Sequence, residues 1–91
     1  MSKFKILSFY AFTNVYDIRE KLKFIKKECE DNNINGLVIL AKEGVNGTLS
    51  GFEKNLDRLI ELLTNEVFKC DMNLKEAFSK TAPFARIKVK I

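Results

Sequence analysis

One segment, LVILAKEGVNGTLSG at residues 37–51, constrains the fold of this chain more than any other. It joins a dense apolar run to a shorter second run through a polar stretch that contains two glycines. Asn46 and Gly47 tolerate the positive φ angles that tight primed turns require, so this dipeptide between two apolar runs predicts a β-hairpin. We therefore expect paired strands at residues 37–41 and 47–51.

Two amphipathic helices are predicted to flank this hairpin, because apolar residues recur every three or four positions on either side of it. The first helix begins at Asp17, which forms a capping box with Glu20, and ends in the polar run at residues 32–36. The apolar face of the first helix comprises Ile18, Leu22, Ile25 and Cys29. The apolar face of the second helix comprises Phe52, Leu56, Leu59, Ile60 and Leu63.

Three further strands complete the predicted secondary structure. Residues 4–12 are apolar at nearly every position, which is typical of a strand inside a sheet. Residues 74–78 form a fourth strand, and residues 86–91 alternate charged and aliphatic side chains as a fifth. The order β-α-β-β-α-β with one appended C-terminal strand predicts an α+β, ferredoxin-like fold. This fold is a split β-α-β two-layer sandwich with two helices on one face of an antiparallel sheet.

Composition limits the functions that are open to this chain of 91 residues. The length is that of one domain, and the absence of a signal peptide and of a membrane span predicts a cytoplasmic protein. The chain has no histidine, no converging pair of carboxylates and no metal-ligand spacing, which argues against catalysis and metal binding by this chain alone. Cys29 and Cys70 are expected to be free thiols packed in or near the core. The net charge of +4 permits an anionic partner if the positive charges share one face.

Two short motifs make the sequence more specific than its composition. The first is Glu-Gly-Val-Asn-Gly-Thr at residues 43–48, and the second is Pro-Phe-Ala-Arg-Ile-Lys-Val-Lys at residues 83–90. Both motifs and their places along the chain resemble the N-terminal domain of the rhodanese-related tRNA uridine hydroxylases. The resemblance extends over nearly the whole chain.

The resemblance implies that residues 1–91 are one ferredoxin-like, acylphosphatase-like domain of a longer oxidoreductase. That enzyme uses oxygen to hydroxylate the wobble uridine of tRNA to 5-hydroxyuridine, and its reactive cysteine lies in a rhodanese domain that follows this one. The implied partners are therefore tRNA and that rhodanese domain. Neither Cys29 nor Cys70 is expected to be the nucleophile, no catalytic residue is predicted in this chain, and no cofactor is expected.

The sequence also predicts which residues would contact tRNA. Alternating cations near the C-terminus would lie on one side of a strand, either as a phosphate-binding stripe or as an edge that discourages aggregation. The predicted RNA-binding residues are Lys42, Lys80, Phe84, Arg86, Lys88 and Lys90. The predicted motif loop comprises Glu43, Gly44, Asn46, Gly47 and Thr48. In this loop we expect unusual backbone angles at Gly44 and Gly47, and we expect the Asn46 side chain to brace the turn.

Three alternatives remain open at this point. One is a module that docks on another domain or on a second copy without contacting RNA. Another is an acylphosphatase-like enzyme, although the loop at residues 13–16 has neither the glycines nor the arginine of a phosphate cradle. The third is base stacking on the sheet, as in RNA-recognition modules. Against it, the strand at residues 47–51 has no aromatic residue, and Phe9, Tyr10 and Phe12 are expected in the core.

Overall fold

The computed structural model describes residues 4–91, which form five strands, two α-helices and a π-helical turn. The elements are β1 (Phe4–Phe12), α1 (Ile18–Asp31), β2 (Asn35–Ala41), β3 (Gly44–Phe52), α2 (Glu53–Leu62), a π-helical turn (Leu63–Val67), β4 (Asn73–Ser79) and β5 (Ile87–Lys90). This order confirms the predicted α+β ferredoxin-like arrangement with an appended strand. Among residues 4–91, no helix is long and apolar enough to cross a membrane.

The strands form one sheet in the order β4-β1-β3-β2-β5. The first four strands pair antiparallel, as predicted, whereas β5 pairs parallel with β2 and makes the complete sheet mixed. The direction of β5 follows from the connection at residues 80–86. This connection leaves β4 at one edge and enters β5 at the opposite edge, at the same end of the sheet. β5 therefore starts where β2 starts and runs beside it.

The hydrophobic core lies between one face of this sheet and the two helices. Side chains that alternate along the strands point into it, among them Leu7, Phe9, Val38, Leu40, Val45 and Leu49. The helices contribute Ile25, Cys29, Leu56, Leu59, Ile60 and Leu63. Cys29 is fully buried and Cys70 is partly buried, which confirms their predicted packing.

The hairpin turn lies at Lys42 and Glu43, so the prediction of a turn at Asn46 and Gly47 is wrong. β3 already begins at Gly44, which pairs with the last residue of β2. Neither turn residue has a positive φ angle, which excludes a primed turn. Asn46 pairs with Tyr10 on one side and with a β2 residue on the other, so it lies within the sheet and does not brace the turn.

Close approach, and not backbone conformation, explains the two motif glycines. Gly44 and Gly47 have no positive φ angle, contrary to the prediction. A Cβ atom on Gly44 would lie 2.3 Å from the carbonyl oxygen of Ala11. A Cβ atom on Gly47 would lie 2.7 Å from the carbonyl oxygen of Leu37 and 2.9 Å from the Phe9 ring. Any larger residue at either position would therefore push neighbouring strands apart.

Two predicted helix features differ from the structure. Asp17 precedes α1 in a left-handed conformation (φ 51°) and its side chain makes no capping hydrogen bond, so no capping box forms. Phe52 is not on the apolar face of α2, because it ends β3 and stacks on Phe4 with the ring centroids 5.4 Å apart. The remaining predicted apolar residues of α2 are buried.

The first and the last predicted strands also need correction. Only one face of β1 is covered by helices, so Tyr10 and Phe12, which were expected in the core with Phe9, are 48% and 87% exposed. β5 is shorter than predicted: Arg86 precedes it, and Ile91 follows it as an exposed residue. Tyr10 and Phe12 are exposed because no helix lies over that side of the sheet, whereas Ile91 lies beyond the last paired residue of β5.

Candidate functional site

The open face of the sheet, which we define as the side opposite α1 and α2, carries the polar residues of the first motif. Directly paired residues of neighbouring strands lie on the same face, so the register fixes two rows across the sheet. The first row is Asn73, Tyr10, Asn46, Ile39 and Lys90. The second row is Lys75, Ser8, Thr48, Leu37 and Lys88. Asn46 and Thr48 are central in their rows.

A depression of about 310 Å³ lies on this face beside the first row. Its lining includes Tyr10, Phe12, Ile39, Gly44 and Asn46, and the acidic residue Glu43 borders it at the turn. The Tyr10 and Phe12 rings meet edge to face with their centroids 5.9 Å apart. Because Gly44 has no side chain, the floor of the depression is bare backbone between an aromatic wall and an aliphatic one.

A second depression, of about 780 Å³, continues across the second row towards β4. The half-buried ring of Phe84 lines it from the connection between β4 and β5. Ser8 and Thr48 share a hydrogen bond on its floor, with 3.2 Å between their side-chain oxygens. Lys75 borders the same depression. Phe84, a predicted contact residue, therefore lies beside the motif residues that the sheet displays.

Positive charge borders the open face on both sides. Lys75 lies on β4 and Lys88 and Lys90 lie on β5, and all three side chains are exposed. Glu76 is the only acidic residue within the five strands, and it points to the helical side, where its carboxylate lies 2.8 Å from the Lys5 ammonium. No described strand therefore contributes a carboxylate to the open face. The nearest acidic residue of the motif is Glu43, in the exposed turn.

The predicted cations do not all lie together. Arg86, Lys88 and Lys90 line a groove of about 710 Å³ between β5 and α1, to which α1 contributes one cation, Lys26, and one carboxylate, Glu30. Lys42 lies at the far end of the sheet, in the turn between β2 and β3. Lys80 follows β4 at the opposite edge. The β5 edge is therefore the one place where several predicted contact residues are neighbours.

The described residues offer little for acid–base or metal chemistry. Among residues 4–91 there is no group of three or more side chains arranged to hold a metal ion. Burial, with a smaller contribution from Glu28 and Glu30, raises the pKa of the Cys29 thiol to about 12. The thiol is therefore protonated near neutral pH and is a poor nucleophile, as expected for a cysteine packed in a core.

The loop between β1 and α1 donates backbone hydrogen bonds to the hairpin turn between β2 and β3. The backbone N–H of Thr13 donates to the carbonyl of Glu43 (3.0 Å), and the N–H of Val15 donates to the carbonyl of Lys42 (2.9 Å). A phosphate cradle needs free backbone N–H groups that point at the ligand. These two donors are already used, which argues against the acylphosphatase alternative.

Sequence reasoning missed several residues of the open face, above all Tyr10, Phe12 and Lys75. The signal was present in β1, where Ser8, Tyr10 and Phe12 alternate with the buried residues of the strand. A strand covered on one face only should show such a period of two. The apolar character of Tyr10 and Phe12 concealed it, because aromatic residues are equally compatible with a second buried face.

Comparison with known proteins identifies relatives of this chain. Residues 4–91 match the model of the UPF0176 acylphosphatase-like domain family. A tRNA uridine(34) hydroxylase of Ehrlichia ruminantium is 37% identical over an aligned length of 89 residues, and the match covers 94% of this chain and 32% of that protein. Another, from Acaryochloris marina, is 33% identical over 91 residues, 100% of this chain and 29% of that protein. These matches confirm the resemblance drawn from the two motifs. The chain spans about a third of the length of these curated relatives, which implies a larger parent protein.

A solved structure supports the fold assignment. An acylphosphatase from Coxiella burnetii superimposes with a TM-score of 0.69 at 15% sequence identity, and the match covers 96% of this chain and 94% of that chain. At this identity the similarity shows a shared fold and carries no statement about activity.

Proposed function

The chain belongs to the family of UPF0176 acylphosphatase-like domains, and from that premise we propose that it is the tRNA-contacting accessory domain of a tRNA uridine(34) hydroxylase. In this proposal the domain binds tRNA and the rest of the parent protein carries out the hydroxylation. The relatives are named for that activity and are about three times as long as this chain.

The observation that carries the proposal is the cluster of cations at the β5 edge. Arg86 and Lys88 lie within the second sequence motif, and Lys90 ends it. The three residues border one groove and adjoin a sheet face to which no described strand contributes a carboxylate. Clustered Arg and Lys side chains on one surface are the electrostatic signature of phosphate-backbone binding.

The division of labour follows from what the described residues lack. The chain has no histidine, and its buried Cys29 is protonated near neutral pH. We propose that the reactive cysteine belongs to a rhodanese domain of the parent protein. We also propose a cytoplasmic location, where tRNA would be the anionic partner.

The test is to titrate tRNA into the chain over a range of salt concentrations. The variant Arg86→Gln/Lys88→Gln/Lys90→Gln removes the β5 cations, and Lys23→Gln/Lys27→Gln/Lys54→Gln removes the same charge from the helical side. Each phosphate contact contributes about 0.7–0.9 to the slope of log affinity against log salt. The first variant should therefore weaken binding and flatten the slope by about 2 units or more, and the second should change both little.

Two results would contradict the proposal. Equal losses in the two variants would mean that net charge alone attracts tRNA. Unchanged affinity and slope in the β5 variant would assign Arg86, Lys88 and Lys90 to protection of the sheet edge against aggregation, which was the other interpretation of the alternating pattern.

A further inference from the structure

We propose that the open face binds an unpaired segment of RNA, with bases stacked against Tyr10 and Phe12 and phosphates held by Lys88 and Lys90. This inference rests on the proposed function and makes it specific, because it states which surface meets the RNA and which form of RNA fits. In this proposal the motif residues Gly44 and Asn46 line the depression that receives a base.

The first argument is the exposure of large apolar side chains on this face. Phe12 is 87% exposed, Tyr10 is 48% exposed, and Leu37 and Ile39 are each more than one-third exposed. Register places all four within the two rows or directly beside them, so the patch is contiguous. Contiguous exposed apolar patches with a polar rim mark binding sites on soluble domains.

Charge decides between the occupants that such a patch could take. Lys75 borders one side of the patch, and Lys88 and Lys90 border the other. If a second copy of the chain covered this face, its own lysines would lie opposite these lysines in either two-fold orientation, because both flanks are positive. A polyanion that carries planar apolar groups would place its negative charges beside the lysines and its planar groups against the apolar side chains between them.

The form of the patch favours unpaired RNA over a duplex. In a duplex the faces of the bases are stacked on one another and are not available to aromatic rings, whereas unpaired bases stack on Tyr and Phe. The depression of about 310 Å³ beside Gly44 brings the Tyr10 and Phe12 rings next to the Asn46 side chain. An amide group offers both a donor and an acceptor to the edge of a stacked base.

Tyrosine fluorescence gives a direct test of stacking. The chain has two tyrosines and no tryptophan, so Tyr16→Phe leaves Tyr10 as the only strong emitter. The probe is a 12-nucleotide RNA of mixed sequence, used alone and annealed to its complement, at low salt. The single strand should quench Tyr10 emission to saturation, and the duplex should bind with little quenching.

Two phenylalanine variants provide a matched comparison. Phe12→Ala removes the exposed ring on the open face, and Phe24→Ala removes an exposed ring on α1. Loss of one stacking ring should weaken single-strand binding by about fivefold or more without changing the salt slope. Phe24→Ala should stay within about twofold of the parent chain. Circular dichroism checks that both variants are folded, which is expected because both rings are exposed.

The outcomes separate this inference from the proposed function. If RNA binds with a salt slope that depends on Lys88 and Lys90, while Phe12→Ala matches Phe24→Ala and Tyr10 emission is unchanged, base stacking is wrong and tRNA contact stands. If no RNA binds at all, both proposals fail. If sedimentation shows self-association that Phe12→Ala abolishes while RNA affinity stays constant, a second copy is the occupant and the inference is overturned.

Discussion

At the residue scale, the close approach of neighbouring strands explains why the first motif has glycine at position 47. Gly47 lies in the middle of β3 with neighbours on both sides, at Phe9 and Val38. The space that a side chain would need is filled by the Leu37 carbonyl oxygen and the Phe9 ring. The carbonyl oxygen cannot move without disturbing the hydrogen bonds between β2 and β3. An added methyl group at Gly47 would therefore destabilise the sheet.

We predict that Gly47→Ala lowers the free energy of unfolding by about 1–3 kcal/mol, the usual cost of overpacking. Gly51→Ala is the matched control in the same strand. Its added methyl group would meet nothing closer than the Ile34 side chain at 3.3 Å, so its effect should stay within about 1 kcal/mol. Urea denaturation followed by circular dichroism measures both variants. Equal effects would mean that glycine at position 47 is not required by close approach.

At the scale of elements, Lys5 connects β1, β4 and α2. Its side chain is almost fully buried, and its ammonium group lies 2.7 Å from Asp57 of α2 and 2.8 Å from Glu76 of β4, with Glu53 at 3.7 Å. Burial alone would lower the pKa of Lys5, but the hydrogen bonds to Asp57 and Glu76 and their charges outweigh it and raise that pKa above its ordinary value. β4 is an edge strand, and this cluster ties it to the helical layer.

The raised pKa predicts a specific dependence of stability on pH. A lysine whose pKa is higher in the folded state contributes its full stabilisation below its unfolded pKa, about 10.4, and loses it as pH rises through the folded pKa. Above the unfolded pKa of about 10.4, the unfolding free energy should therefore fall more steeply for the parent chain than for Lys5→Met. The difference should approach about 1.4 kcal/mol per pH unit above the unfolded pKa. Parallel curves from urea denaturation would contradict this account.

The order of the elements could be predicted from the sequence because helix and strand periods are local properties of the chain. The position of the hairpin turn could not, since Asn46 and Gly47 are the stronger local turn signal. The observed turn at Lys42 and Glu43 accepts hydrogen bonds from Thr13 and Val15, about thirty residues away in sequence, and such contacts are invisible to local patterns. The partner and direction of β5 also depend on a distant pairing, with residues 36–39.

The candidate site was predictable only in part, for the same reason. The alternation of Lys88 and Lys90 with aliphatic residues indicated that cations would lie on one side of β5. It did not indicate that Tyr10 and Phe12 would lie on that same side, because the face of β1 that the helices cover is set by long-range packing. Lys42 and Lys80 were included for their charge, and the topology places them at opposite ends of the sheet.

For the molecule as a whole, the two layers differ in charge. The net charge of +4 indicates little alone. The acidic residues within the regular secondary structure lie in the helical layer, apart from Glu76, which points towards that layer. The strands show lysines on the open face. This separation places lysines without strand carboxylates on the open face, and it makes the helical layer a suitable control surface for the RNA-binding proposal.

The most direct measurement of the central claim is a methyl NMR titration of the chain with tRNA. The account predicts that the methyl signals of Leu37 and Ile39, on the open face, shift progressively and reach saturation. The signals of Ile18 and Leu62, in the helical layer, should stay where they are. In Lys88→Gln/Lys90→Gln the same shifts should require a higher tRNA concentration. Shifts confined to Ile18 and Leu62, or tRNA binding that leaves Leu37 and Ile39 unchanged, would contradict the assignment of RNA contact to the open face.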